Sequence, residues 1–190
     1  EWNLADLYTA PDAPEVTRDL ANSAAEAKRL KDACQGRFTT IAADGAKLAE
    51  AVIAYENLSD VMGKLGSYAG LLYAADQADP IRAKFYGDVS EKLTAIYTDL
   101  IFFELELNQI DAATLDAALT HKDLARYKPW FDDLRKEKPY QLDEKIERLF
   151  TEKGQTGRGA FNRLFSETMT GLRFTVDTSH GGSALIDLVE

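Results

Sequence analysis

A pair of long helical rhythms restricts the fold more than anything else in the chain. Leu48, Tyr55, Met62 and Ala69 stand seven apart, interleaved with Ala51, Leu58, Leu65 and Leu72. A heptad held over more than three repeats keeps one stripe of a helix apolar and requires a partner along its length. After Asp79-Pro80, a cap followed by a residue suited to the first helical turn, the series Tyr86, Val89, Leu93, Ile96, Leu100, Phe103, Leu107 keeps the three-four alternation. At 1.5 Å per residue this is a rod of about 40 Å. Tyr97, Ile101 and Leu105 add a second apolar face. A helix apolar on two sides lies between neighbours, so this rod is expected at the centre of a bundle.

Further helices assemble around it. Pro11-Asp12-Ala13-Pro14 makes a turn in which Asp12 caps a first helix and Glu15 completes a capping box. That helix runs to about Gln35, ends at Gly36, and carries a narrow stripe of Val16, Leu20, Ala24, Ala27 and Leu30, which suits a peripheral position. Cys34, the single cysteine, is a small filler on it. Asp44-Gly45 opens the heptad helix, on which Gly63, Gly66 and Gly70 share another face. Each glycine costs up to about 1 kcal/mol relative to alanine in a helix interior. Their alignment therefore implies either close approach of a neighbouring backbone or a surface left smooth for a bound peptide. Glu91, Glu104 and Glu106 read as a solvated face of the central rod.

Downstream, Asp111 caps a short helix ending near Thr120, and His121 follows its C-terminal end, where the helix dipole favours a cation. Tyr127-Lys128-Pro129-Trp130-Phe131 reads as a hydrophobic anchor, and Lys136-Glu137-Lys138-Pro139 leads into another helix with Leu142, Ile146, Leu149 and Phe150 on one side. Gly154-Gln155-Thr156-Gly157-Arg158-Gly159 has the look of a phosphate cradle. It follows a helix instead of a strand, and no Walker lysine comes after it, so it lacks the context of a nucleotide loop. Gly154 is read as a left-handed helix stop and the remainder as a turn into a last helix whose Phe161, Leu164, Phe165 and Thr168 face the core. From Leu172 the period becomes two: Leu172, Phe174 and Val176 alternate with Arg173, Thr175 and Asp177. Gly181-Gly182 turns the chain into Ala184–Val189, with His180 in the loop, so a β-hairpin is expected.

The fold expected is thus mostly α, a multi-helix antiparallel bundle with a C-terminal β-hairpin. Residues 1–171 form the helical part, with long helices over 1–110 and shorter ones over 111–171, and residues 172–190 form the hairpin. A formal net charge of −10 opposes a phosphate-backbone partner, so no nucleic acid is expected. The longest apolar runs, such as Gly70–Ala75, are far short of the ~20 residues that span a bilayer, and no membrane association is expected. No signal peptide is visible, and one cysteine suits a reducing compartment, so the expected location is cytoplasmic.

Two stretches add a resemblance. Trp2-Asn3-Leu4-Ala5-Asp6-Leu7-Tyr8 fits a W-x-L-x-x-L-Y opening. Leu142-Asp143-Glu144-Lys145-Ile146-Glu147, followed by Thr156-Gly157-Arg158-Gly159-Ala160-Phe161-Asn162-Arg163-Leu164-Phe165-Ser166-Glu167, fits L-x-E-x-x-E and then G-x-x-A-[FW]-x-R-L-F-x-E. In this order the motifs resemble the amino-terminal region of oligoendopeptidase F, a relative of the thimet-type oligopeptidases. The resemblance implies a zinc metalloendopeptidase that hydrolyses oligopeptides, with a His-Glu-x-x-His site. Two histidines one helical turn apart hold the metal there, and the intervening glutamate deprotonates the bound water.

Neither histidine of this chain begins that motif, since His121 precedes Lys122 and His180 precedes Gly181. The expectation is an amino-terminal portion, opening at Glu1 and ending at Leu188-Val189-Glu190 in a strand, with zinc and the catalytic domain downstream in the parent. No catalytic, cofactor-binding or metal-binding residue is assigned within it, and the segment is expected to be inactive alone. The resemblance implies one wall of a channel for oligopeptide substrates, with specificity residues on the glycine-striped helix or at the Thr156–Arg158 turn. The C-terminal catalytic domain of the same chain is the expected partner. The alternative is a self-contained helical protein-interaction module, with the Leu48–Leu72 heptad as its seam and Tyr127–Phe131 as its anchor.

Overall fold

The computed structural model describes residues 3–178 and 182–187, with side chains as far as Arg173. Trp2, His180, Gly181 and Leu188–Glu190, and the facing of Phe174 and Val176, lie outside the described residues and side chains. The described chain is mostly helical.

Helix α1 (Pro14–Cys34) opens with Pro14 after Ala13, and no side chain caps it. The cap expected from Asp12 is therefore absent, because the fixed φ of Pro14 begins the helix itself. Its buried stripe is Val16, Leu20, Ser23, Ala27, Leu30 and Cys34, with Ser23 where Ala24 was expected. Gln35 ends it, and Gly36, at φ +75, supplies the left-handed turn that a side chain would strain. The short α2 (Phe38–Ile41) drives Phe38 into the core beside Phe102 and Phe103.

Helix α3 (Gly45–Ala75) starts at Asp44, whose carboxylate accepts from the Ala46 and Lys47 amides. Helix α4 (Pro80–Leu107) starts in the same way from Asp79. The pairs Tyr55–Phe103, Gly66–Leu93 and Tyr73–Tyr86 show the two running antiparallel. Helix α1 runs parallel to α4, as Lys31–Asp99 at 2.6 Å and Gly36–Glu106 at 2.8 Å show. The central position expected for the second rod is what the structure has: α4 touches α1, α3 and α7. Helix α1 packs against both long helices, so it is an integral member of the bundle and not a peripheral one.

The lead-in docks on this core. Tyr8 meets the Tyr68 ring edge-on at 5.3 Å and donates to Asp19 at 2.9 Å, while the Lys64 ammonium lies 4.2 Å from its centroid. Beyond α4, helices α5 (Ala112–Ala118) and α6 (Lys128–Glu137) close one end of the bundle. Arg135 donates to the carbonyls of Asn108 and Ile110, both at 2.6 Å, and Asn108 donates to the carbonyl of Leu134 at 2.8 Å. The frayed carbonyl end of α4 is thus tied to α6.

The remaining helical stretch differs most from expectation. Helix α7 (Glu144–Gly154) does not stop at Gly154, which has φ −53; a π turn over Gln155–Gly159 carries the chain directly into α8 (Ala160–Gly171). Glycines at 154, 157 and 159 remove the side chains that favour tight α winding, so the wider turn is accommodated. The continuous helix runs antiparallel along α4, with Gln155 on Thr94, Arg163 beside Gly87 and Thr170 at Gln77. Backbone pairing then joins β1 (Arg173–Thr178) and β2 (Gly182–Asp187), with Arg173 opposite Asp187 and Thr178 opposite Gly182.

Phe161, Leu164, Phe165 and Thr168 of α8, expected to face the core, face outward, and so does the apolar side of α7. Leu142, Ile146, Leu149, Phe150, Leu164 and Phe165 are all exposed, and Phe161 reaches 72%. The α4 surface is met by polar residues of the other side of this helix, among them Thr151, Gln155 and Arg163, so its apolar side is left exposed among the described residues.

The glycine stripe is corrected as well. Side chains, not backbone, approach it: Leu93 lies 3.4 Å from a Cβ placed at Gly66, Tyr86 lies 4.0 Å from one at Gly70, and nothing comes within 4 Å at Gly63. A Cβ at Gly159, by contrast, would sit 3.0 Å from the carbonyl oxygen of Gly154. Two alanine substitutions should therefore differ in sign. In urea denaturation, Gly63→Ala is expected to stabilise the chain by about 0.5–1 kcal/mol, through the lost flexibility of the unfolded state. Gly159→Ala is expected to destabilise it, because a backbone oxygen cannot move aside. The same sign at both sites would contradict the π turn.

Candidate functional site

Gly63 of the glycine-striped helix meets the end of α7 in space, but the Thr156–Arg158 turn named beside it from sequence does not line the same groove. Gly63 and Ser59 of α3, Thr94 and Tyr97 of α4, and Thr151 and Gln155 of the α7 helix line a groove of about 520 Å³. Gln155 anchors it by donating to the Thr94 hydroxyl at 2.6 Å. Gly63 leaves the α3 wall without a side chain, which gives an extended ligand room to lie against the helix. Within the turn, Thr156 borders a neighbouring cavity of about 760 Å³ with Arg148 and Arg163, whereas Arg158 lines neither and is exposed.

The aromatic floor of the groove is rigid. Tyr55 stacks on Phe103 with centroids 4.2 Å apart and planes 7° from parallel, and it donates to Glu104 at 3.0 Å. Burial first, and the Glu104 charge next, push the Tyr55 hydroxyl well above the ordinary tyrosine range, so it remains a donor. Burial likewise raises Tyr97.

The carboxylates expected on a solvated face divide. Glu91 is exposed, but Glu104 holds Tyr55, and both oxygens of Glu106 accept from the Gly36 amide at 2.8 and 2.9 Å. Burial raises the Glu106 carboxyl, and the Gly36 bond opposes that rise. A raised carboxyl contributes stability that is full below the ordinary glutamate value and is lost as pH rises through the folded one. Cys34 is buried, and burial pushes its thiol up, in keeping with a filler.

The family-type motifs have structural duties. Glu147 accepts from the Leu142 amide at 2.9 Å and Asp143 from the Lys145 amide at 2.9 Å, so the L-x-E-x-x-E stretch caps its own helix. Arg163 and Glu167 pair at 3.6 Å within α8. The surfaces that the interaction-module reading relied on are occupied: α1 and α4 cover the heptad of α3, and Tyr127 and Phe131 are buried. Sequence reasoning missed Tyr55, Ser59, Thr94 and Gln155 as groove residues. Ser59 and Thr94 each stand one residue outside the apolar series of their helices, beside Leu58 and Leu93, and no break in either rhythm marks them.

A zinc centre does not fit the described residues. No group of three or more His, Cys, Asp or Glu side chains able to hold a metal occurs among them, and His121 has only the Asp123 carboxylate nearby, at 3.9 Å. Its Nδ1 accepts from the Asp123 amide at 3.4 Å. No helix among the described residues is long and apolar enough to cross a membrane.

The family of M3 peptidase amino-terminal regions, described as Oligopeptidase F, matches residues 106–174. The match runs from the end of α4 through α8 and takes in the whole second motif stretch. No curated protein and no solved structure matches the chain.

Proposed function

We propose that this chain is the amino-terminal, non-catalytic region of a zinc metalloendopeptidase that hydrolyses oligopeptides in the cytoplasm, and that the groove between α3, α4 and the π turn is part of its substrate channel. The observation that carries this is the convergence of Gly63 with Gln155 at one groove, in a chain whose residues 106–174 match Oligopeptidase F. Zinc belongs to the parent's catalytic domain, the second partner of this region. The exposed face of Leu149, Phe150, Phe161 and Phe165 supports a docking role for that domain, since an uncovered apolar patch of this extent is characteristic of a contact surface. The β1–β2 ladder is the connection leading toward it. Nucleic acid and membrane have no part in this reading.

The test is made on the full-length parent, in which the proposal requires a His-Glu-x-x-His motif. With zinc and a quenched fluorescent peptide, the full-length enzyme is expected to cleave, and the 190-residue chain alone is expected to show no turnover. Gly63→Leu in the full-length enzyme should raise KM about fivefold or more with kcat little changed, the signature of lost uniform binding. Zinc-dependent cleavage by the chain alone, or an unchanged KM, would contradict the proposal.

A further inference from the structure

Next to the groove, and sharing Tyr55 and Ser59 with it, opens a second cavity of about 450 Å³. Its walls bring the rings of Tyr55, Tyr127 and Trp130 together with the carboxylates of Glu56, Asp60 and Glu104, and neither lysine nor arginine lines it. The rings are held in place from behind. Tyr55 rests on Phe103, Trp130 lies 4.9 Å from the buried Phe131, and Tyr127 donates to Glu56 at 2.6 Å. Fixed aromatic faces and carboxylates around one space attract a cation through the ring quadrupoles and through formal charge together.

One cation of the chain already uses the rim. The Arg126 guanidinium lies 4.4 Å from the Tyr127 centroid and is paired with Glu56. That pairing compensates Glu56 and leaves the other two acids. Glu104 accepts the Tyr55 hydroxyl but is in no ion pair, and Asp60 is in none either, among the described residues. The uncompensated charge therefore sits on Glu104, which holds the Tyr55 shared with the groove, and on Asp60, next in sequence to the shared Ser59.

We infer that this cavity seats a basic group of the bound peptide, a lysine or arginine side chain, so that the channel favours basic oligopeptides. The inference rests on the peptide-groove reading and names its substrate class. A peptide lying along α3 past Gly63 and Ser59 would bring a neighbouring residue to Tyr55, and a long side chain with a terminal cation reaches the acids while its methylenes cover the rings. An α-ammonium has the same charge but no such stem.

The test uses amide chemical shifts and the Trp130 indole signal of the whole chain. Nα-acetyl-arginine amide is expected to shift the Trp130 signal saturably, with affinity about tenfold above that of its neutral isostere, Nα-acetyl-citrulline amide. Alanine amide, which offers only an α-ammonium, should bind as weakly as citrulline. Asp60→Asn combined with Glu104→Gln should remove the arginine preference while the helical spectrum is unchanged; Asp60→Asn alone, at an exposed position, should reduce it in part. Equal binding of arginine and citrulline amides, a preference for alanine amide, or a preference that survives the double variant would overturn the inference. A blocked neutral tetrapeptide separates the two readings. If it shifts Gly63 and Gln155 while arginine gains nothing, only the cation cavity falls; if it shifts neither, the groove falls with it.

Discussion

Phe103→Ala should cost about 3–5 kcal/mol and leave much of the population unfolded at ordinary temperature. Phe103 is completely buried and lies where three elements meet. Phe38 of α2 meets it edge-on at 4.9 Å, Phe102 meets it at 6.0 Å, and Tyr55 of α3 stacks on its other face. Removing the ring opens a cavity that none of these can fill, because each is fixed by further contacts. The loss would also release Tyr55, so any surviving folded protein should bind peptide poorly at the groove. Urea denaturation followed by circular dichroism measures the first effect. A cost below about 1 kcal/mol would mean that the aromatic cluster is not the core it is taken to be.

Arg135→Ala should be the next most damaging, at about 2–3 kcal/mol. The guanidinium holds two carbonyls at the end of α4, each through a charge-assisted bond, and half-exposure lets water replace part of what is lost. The consequence reaches the cavity walls, since α6 carries Trp130. Arg135→Lys separates charge from geometry, because a single ammonium cannot bridge both carbonyls. It should recover less than half of the loss in the same denaturation experiment, and full recovery would rule out the bidentate clamp.

The long helices were legible because their signals are local. Asp44, Asp79 and Asp111 cap the helices they were expected to cap, and the rhythm of Tyr86 to Leu107 marked the central rod before any packing was known. Asp12 failed because Pro14 alone was sufficient to start α1. The strip from Gly154 to Gly159 failed for a different reason: a π turn has no side-chain signature apart from small residues, and the same glycines also suit a left-handed stop. Most misleading was the apolar face of α7 and α8, since periodicity tells which residues share a side and says nothing of whether that side is covered by the same polypeptide. The groove was half legible. Gly63 was singled out and Gln155 was not, and their meeting depends on the antiparallel course of residues 144–171 along α4, a long-range relation no window of sequence contains.

The wider turn at Gln155–Gly159 also sets an azimuth. Every residue added to or removed from it would rotate the following helix by about 100° about its own axis. Arg163 would leave Gly87, and Phe161 and Phe165 would swing from solvent toward α4. The interval between the glutamates of α7 and the phenylalanines of α8 is consequently constrained as an angle more tightly than as a length.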